Sequence, residues 1–168
     1  SITISSPVNN ISPVIDTQRL SLFLIQNRMF SPVSGTTPDF VAETTNTGGS
    51  SPAKYITRPI TLENEATALD VRLTASVQST SSVKVFYRTT SADDTRKLGD
   101  VAWRAFNSDG TADSVPEPSK DDNDFKEQKF TVSGLEPFSA FSLKIVLTGT
   151  ISSYPPLIKD MRGIALAV

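Results

Sequence analysis

The sequence contains no cysteine and no histidine, and these absences exclude several kinds of chemistry. Without cysteine there is no disulfide framework and no thiolate metal site, so the fold depends on packing and hydrogen bonds. Without histidine the chain lacks the commonest general base and the commonest transition-metal ligand. The Gly-x-Ser-x-Gly nucleophile elbow and glycine-rich phosphate loops are also missing. We therefore expect a protein that is not an enzyme and that holds no metal or cofactor.

Long apolar runs and an excess of positive charge are missing as well. No apolar run approaches the roughly 20 residues of a membrane helix, and residues 1–10 lack the basic start and apolar stretch of a signal peptide. The net charge is -2, and residues 91–136 hold eleven acidic and six basic residues. We expect neither membrane nor nucleic-acid binding, because the latter relies on a basic surface. The missing initiator Met suggests a processed chain or an excised piece.

Alternating apolar and polar residues dominate what is present, and this period of two is typical of strands with one buried face. The clearest example runs from Leu69 to Val77, and a second runs from Val83 to Tyr87 after a polar turn. We interpret these two segments as one antiparallel hairpin. Phe130–Val132 and Phe141–Leu147, separated by Gly134 and Pro137, predict a second hairpin.

Three further segments are predicted to form strands. Lys54 to Leu62 contains Pro59, which places this strand at a sheet edge or a bulge. Leu20 to Ile25 is apolar on both faces, as expected of a strand covered on both sides or of one that packs against a neighbouring chain, which we favour. Ile164 to Val168 can be buried between two layers. Ser31–Pro52 and Ser108–Asp124 are predicted loops.

Many short strands without a helix of 12 residues or more predict an all-β fold, an antiparallel β-sandwich. A jelly-roll-like order is preferred, and a fibronectin-like order is the alternative, which the turn Ser133–Pro137 weakly favours. Composition changes near residue 53. The predicted organisation is therefore an extended N-terminal arm with a Ser/Thr/Gly/Pro-rich loop over residues 1–52, followed by a sandwich domain over residues 53–168.

Groups that could carry chemistry have ordinary structural explanations. The acidic pairs and runs favour turns and solvated loops; they are Glu63/Glu65, Asp93/Asp94 and Asp121/Asp122/Asp124. The run Lys120–Asp124 lacks the glycine and the distal glutamate of an EF-hand. Lys84 and Lys144 alternate with apolar residues, so both are predicted on the polar side of strands.

Four phrases are similar to tail and baseplate proteins of contractile-tailed bacteriophages (myoviruses). They occur in the order Ser12–Asp16 with Gln18–Leu20 and Asn27–Arg28, then Lys54–Arg58, then Val83–Tyr87, then Lys159–Leu166. The resemblance implies a virion structural protein, located in the tail or baseplate after assembly in the host cytoplasm. It implies β domains that dock onto other virion proteins, as a homo- or hetero-oligomer, and it supplies no active-site residues.

Two functions from different classes follow. The first is virion assembly through protein–protein contacts of the apolar arm; its candidate residues are Leu20, Leu22, Phe23, Leu24 and Ile25. The second is a carbohydrate- or receptor-binding module on the virion surface. Trp103 and Phe106 would then form a stacking platform, if exposed, beside the loop acids Asp109 and Asp113. The competing interpretation of the two aromatic residues is core packing.

Overall fold

The fold is known from a computed structural model. It describes residues 11–16, 21–26, 41–49, 51, 53–151 and 154–167, with side chains from residue 43 onward. The strands of these ranges are β1 (Ile11–Asp16), β2 (Ser21–Gln26), β3 (Lys54–Ile56), β4 (Ile60–Ala66), β5 (Ala68–Ser76), β6 (Ser81–Thr90), β7 (Arg104–Ala105), β8 (Lys126–Val132), β9 (Phe138–Gly149) and β10 (Leu157–Leu166). Single turns of 3-10 helix occur at Val41–Thr44 and Leu98–Asp100.

Two antiparallel sheets form the sandwich, which confirms the predicted fold class. One sheet has three strands in the order β10-β5-β8. The other has the order β3-β9-β6-β7, and β4 also pairs with β9, beyond the short interruption that follows β3. β1 and β2 form a separate two-stranded sheet. The period-two alternation of β5, β6 and β9 therefore places one face of each strand against the opposite sheet.

The main core lies between the two sheets. Both sheets contribute fully buried side chains to it. These are Leu69, Val71 and Leu73 of β5, Val85 of β6, Phe130 of β8, and Phe138, Phe141, Leu143 and Ile145 of β9. Phe106, from the loop after β7, packs against Tyr87 and Phe130 with ring centroids 4.9 and 6.0 Å apart. The core thus ties the loop after β7 to both sheets.

The strand pairs nest inside one another. β7 returns beside β6, β8 beside β5 and β9 beside β4. This is the order of a jelly roll, a folded antiparallel ribbon. In an immunoglobulin- or fibronectin-like sandwich the first strand lies beside the second and the last beside the one before it. Here β10, the last described strand, lies beside β5, which agrees with the preferred jelly-roll-like order and not with the fibronectin-like alternative.

Both predicted hairpins are wrong. β5 and β6 are consecutive but lie in different sheets, and so do β8 and β9. The turns at Gln78–Ser81 and Gly134–Pro137 carry the chain across the sandwich instead of returning it beside itself. A hairpin and such a crossing show the same alternation, because each strand has one apolar face in either case. Only the partner of that face differs.

The predictions for the segment with Pro59 and for the C-terminal segment have different outcomes. Lys54 to Leu62 lies at the edge of the five-stranded sheet, as predicted, and Pro59 falls in the gap between β3 and β4. The C-terminal strand was expected to be buried between layers, and this is wrong. β10 is an edge strand, and Ile164 and Leu166 are 46% and 42% exposed. Small Ala165 and Gly163 provide too little apolar surface on the inward face to bury this strand deeply.

Candidate interaction surfaces

The segment predicted to bind partner chains is β2. Its backbone pairs antiparallel with β1, with Phe23 opposite Val14 and Leu24 opposite Pro13. The strand prediction is confirmed. Leu20 and the side chains of Leu22, Phe23, Leu24 and Ile25 lie outside the described residues. Their role in partner binding stays a prediction.

Two sheet edges without a strand on their outer side lie on the same side of the sandwich, as far as the described residues show. One is formed by β10 and the other by β3 and β4. A Cβ atom added at Gly163 would lie 3.1 Å from Cδ1 of Leu143, so β10 covers β9, and β3 and β4 flank β9. Both edges expose apolar side chains; these are Tyr55, Ile56, Ile60, Leu157, Ile158, Ile164 and Leu166.

The outer face of the three-stranded sheet is charged. Arg72 of β5 binds both Asp70, with Nε 3.1 Å from Oδ1, and Glu127 of β8, with Nη1 2.8 Å from Oε1. Arg162 of β10 pairs with Asp160 at 3.2 Å. Exposed pairs of this kind contribute little stability and keep a surface solvated. The apolar ends of β10 therefore flank a polar centre.

The outer face of the five-stranded sheet buries a cation. Nζ of Lys144 on β9 has no exposed surface and donates to the backbone oxygen of Glu43, to Oε2 of Glu43 at 3.1 Å and to the oxygen of Gly48 at 3.2 Å. It also lies 4.8 and 5.0 Å from the ring centroids of Phe86 and Trp103. Burial lowers the pKa of Lys144, and the Glu43 carboxylate opposes this effect. We call Lys144, Glu43, Phe86 and Trp103 the Lys144 cluster.

The Lys144 cluster fixes the chain that precedes β3. Glu43 accepts a 2.6 Å hydrogen bond from the Ser51 amide, and Nζ of Lys54 donates to the oxygens of Gly48 and Gly49 at 2.8 and 2.7 Å. The Trp103 amide donates to the Thr44 oxygen at 3.0 Å. Glu43, Gly48, Gly49 and Ser51 are thereby held on the sheet. The boundary between residues 52 and 53 stays a prediction, and these contacts show which residues a truncation must keep.

The prediction that Lys84 and Lys144 lie on a polar, solvated strand face is wrong. Lys84 is 8% exposed and Lys144 is fully buried. The sequence contains a signal for this: Phe86 and Val146 share their strand faces with the two lysines, and both are buried there. Apolar residues on the supposedly polar face indicate that another segment covers it. Lys144 is enclosed among the described residues, and its contacts position the segment that precedes β3.

Trp103 and Phe106 were predicted to form a stacking platform only if they are exposed, and both are buried. Trp103 is 3% exposed and packs in the Lys144 cluster, with the guanidinium carbon of Arg88 4.3 Å from its ring centroid. Phe106 is fully buried in the main core. Neither ring offers a face to a sugar, and the competing interpretation of core packing describes both.

The loop acids near this pair are engaged within the protein. Asp109 accepts from Nζ of Lys84 at 2.6 Å and from the amide and hydroxyl of Thr111. Partial burial alone would raise the pKa of Asp109, but these hydrogen bonds lower it to about 2. Asp113 accepts from the amide and hydroxyl of Thr131 at 3.1 and 2.7 Å. These bonds outweigh burial and lower the pKa of Asp113. Both carboxylates hold loop and strand together.

A small groove is present elsewhere, between the end of β5 and the loop at residues 115–119. Its volume is about 210 Å³, and Gln78, Glu117 and Gln128 contribute polar groups. Ligand pockets for drug-sized molecules usually hold about 300–1,000 Å³. The groove contains none of the predicted site residues.

The described ranges contain no candidate for two other kinds of site. No group of three or more acidic residues in these ranges is placed to hold a metal ion. No helix in the same part of the chain is long and apolar enough to cross a membrane.

Comparison with known proteins gives a distant match. No family model matches the sequence, and no curated protein matches it. The chain has a weak similarity, with 10% identity and a TM-score of 0.31, to a solved structure described as "D431N Mutant VP2 Protein of Infectious Bursal Disease Virus; Derived T=1 Particles". The match covers 97% of this chain but 38% of the viral chain. A TM-score of this size carries no argument about function.

Proposed function

We propose that the chain is a non-enzymatic structural component of a virion, of the tail or baseplate type, and that it acts through protein–protein contacts. Two observations support the proposal. The four sequence phrases similar to myovirus tail and baseplate proteins extend from Ser12 to Leu166. The sandwich presents two uncapped edges with apolar side chains on one side, within the described residues.

The open edges are the observation that carries the proposal. Edge strands template pairing with other chains, and monomeric proteins usually shorten, charge or cover them. β10 is ten residues long, and its Ile164 is 46% exposed. At the other edge Tyr55 is 58% exposed. Apolar side chains at an uncovered edge fit a protein whose edges are covered in an assembly.

Assembly by the purified chain can be tested by light scattering. We expect the full chain to form a multimer and a chain lacking residues 1–40 to be a folded monomer. The cut must fall before Val41, because Glu43 is needed by Lys144. A full chain that stays monomeric at all concentrations would count against self-assembly.

The virion role requires a test on particles. Mass spectrometry of purified particles should find peptides of this chain in constant ratio to other structural proteins. Phe23→Glu should reduce incorporation, because a charge cannot be buried in an apolar contact without a partner. Phe23→Leu, which preserves the apolar character, is the matched control. The absence of the chain from particles would refute the role.

A further inference from the structure

The nested strand order leaves one position of the fold unfilled. The pairs β6·β7, β5·β8 and β4·β9 form a series that grows outward from the β6–β7 connection. The next pair in this series would join β10 to a strand that precedes β3. With β3 and β4 counted as one interrupted strand beside β9, this pair would complete the eight strands of a jelly roll. Residues 43–51 precede β3 directly, but Lys144 holds them on the outer face of the other sheet. The position beside β10 is therefore open in the described chain.

The free edge of β10 suits an added apolar strand. Ile158 is 38% exposed near one end, and Ile164 and Leu166 are 46% and 42% exposed near the other. The backbone groups on the outer side of β10 have no strand partner among the described residues. Such an edge gives affinity through main-chain hydrogen bonds and specificity through alternate side chains.

The hairpin of β1 and β2 has the properties of the missing strand. An isolated two-stranded hairpin is at best marginally stable in water, so this one requires a surface to pack on. β1 contains Pro13, and proline is confined to outer edges because it lacks an N–H group. β2 (Ser21–Gln26) contains no proline, and its sequence has four apolar residues in succession. β2 is thus the strand of the hairpin that can pair on both sides.

We propose that β2 of a second copy of this chain adds antiparallel to the edge of β10, giving the sheet order β1-β2-β10-β5-β8. The inference rests on the proposed function, since it names the partner of an assembly edge. The connection from β2 to Val41, residues 27–40, allows up to about 50 Å between its ends, so its length permits pairing with a second copy as well as with the same chain. Among the described strands, the chain's own hairpin forms a separate sheet, and no strand lies on the outer side of β10.

The absence of cysteine makes the proposal directly testable, because only introduced thiols can react. Full-length Leu24→Cys and full-length Ile164→Cys are mixed and treated with a short bifunctional maleimide, which tolerates an offset in register. We expect a cross-linked dimer that contains one chain of each kind. Tyr55→Cys, at the other open edge, replaces Ile164→Cys in the matched control and should give at least tenfold less dimer.

Each other outcome overturns the proposal. Equal cross-linking to Tyr55→Cys would show non-specific contact, and no cross-linking would show that β10 is not the docking edge. In dilute Leu24→Cys/Ile164→Cys double variant, cross-linking within one chain would show that the chain's own hairpin fills the position. The cross-linking uses purified chain, so a negative result would refute the strand exchange and would not bear on the virion role. If cross-linking succeeded but the chain were absent from particles, the strand exchange would stand and the virion role would be refuted.

Discussion

Lys144 brings a positive charge to a place that water does not reach. The charge is held by Glu43, by two backbone oxygens and by two aromatic rings, all within 5.0 Å. Buried ion pairs are costly to form and costly to break, because removal of one partner leaves an uncompensated charge. The main effect of the Lys144–Glu43 pair is therefore to fix the position of the segment that precedes β3 on the sheet.

Lys144→Met should destabilise the fold by about 3–5 kcal/mol, the usual cost of breaking a buried pair. The double variant Lys144→Met/Glu43→Gln should recover part of this loss, since no charge is then stranded. Urea unfolding followed by the fluorescence of Trp103, the single tryptophan, measures both variants at the cluster itself. Lys129→Met, at a lysine whose side chain is 47% exposed, should change stability by less than about 0.5 kcal/mol. A similarly small effect of Lys144→Met would contradict the role of the pair.

The carboxylate of Asp109 predicts a dependence of stability on acid. Its pKa is lowered from 3.8 to about 2 in the folded protein, so the folded state favours the ionised form. The stabilisation is fully present above about pH 4 and disappears as the pH falls to about 2. The side chain is 50% exposed, so after allowance for solvent screening we expect about 1 kcal/mol.

Unfolding of the native chain and of Asp109→Asn between pH 2 and pH 6 provides the measurement. The difference in unfolding free energy between the two should shrink as the pH falls through this window. The exposed Asp93→Asn serves as the control. A difference that stays constant with pH would show that the Lys84–Asp109 pair does not stabilise the fold.

At the scale of the element, the interruption between β3 and β4 is bridged by a side chain. The hydroxyl of Thr57 accepts a 2.9 Å hydrogen bond from the Leu143 amide, and the Thr57 amide donates to the Leu143 oxygen at 2.9 Å. The side chain thereby continues the ladder where Pro59 ends regular pairing. Thr57 lets the edge strand change direction without losing contact with β9.

Thr57→Val should leave the Leu143 amide without an acceptor at nearly constant volume. We expect a loss of about 1–3 kcal/mol, the cost of an unsatisfied buried donor. Hydrogen exchange of the Leu143 amide should accelerate, and Thr61→Val, at an exposed position of β4, is the comparison. Unchanged protection of Leu143 would mean that another acceptor replaces the hydroxyl.

The elements differ in how far sequence could predict them. The alternation of apolar and polar residues predicted the strands β5, β6 and β9, and Pro59 predicted a strand at a sheet edge. Both signals are local consequences of backbone geometry. The pairing of these strands was not predictable, since a turn that crosses the sandwich and a turn that closes a hairpin leave the same pattern. The Lys144 cluster escaped prediction because its partner, Glu43, is about 100 residues away in sequence. Phe86 on the same face was the clue available.

At the scale of the whole molecule, Glu43 and Gly48 contact Lys144 of the sandwich, so the position of an N-terminal cut decides whether these contacts are kept. Deletion of residues 1–40 should change the Tm by no more than about 3 °C, because the Lys144 cluster is retained. Deletion of residues 1–52 removes Glu43 and uncovers Lys144, Phe86 and Trp103. We expect this cut to lower the Tm by about 10 °C or more, given several degrees per kcal/mol for a domain of this size.

Thermal unfolding of both truncated chains, at concentrations where each is monomeric, decides this point. The chain lacking residues 1–40 is the matched control for the loss of the hairpin. If both cuts gave the same Tm, the residues between the two cuts would not contribute to the stability of the sandwich.

The nested order of the strands also determines the order in which they can pair while the chain is being synthesised. The first strands of the sandwich, β3 and β4, find their partner in β9, and the bonds between Thr57 and Ser142 join residues 85 positions apart. A ribosome adding about 5–20 residues per second needs several seconds to make that stretch. Until then β3 and β4 emerge without a sheet to join, and the innermost pair, β6 and β7, is the first that can close. We expect folding to proceed from the middle of the chain outward and to be slow, as distant contacts require. Among the described strands β10 is synthesised last, so contacts through its edge form only after the other strands of the sandwich have been made.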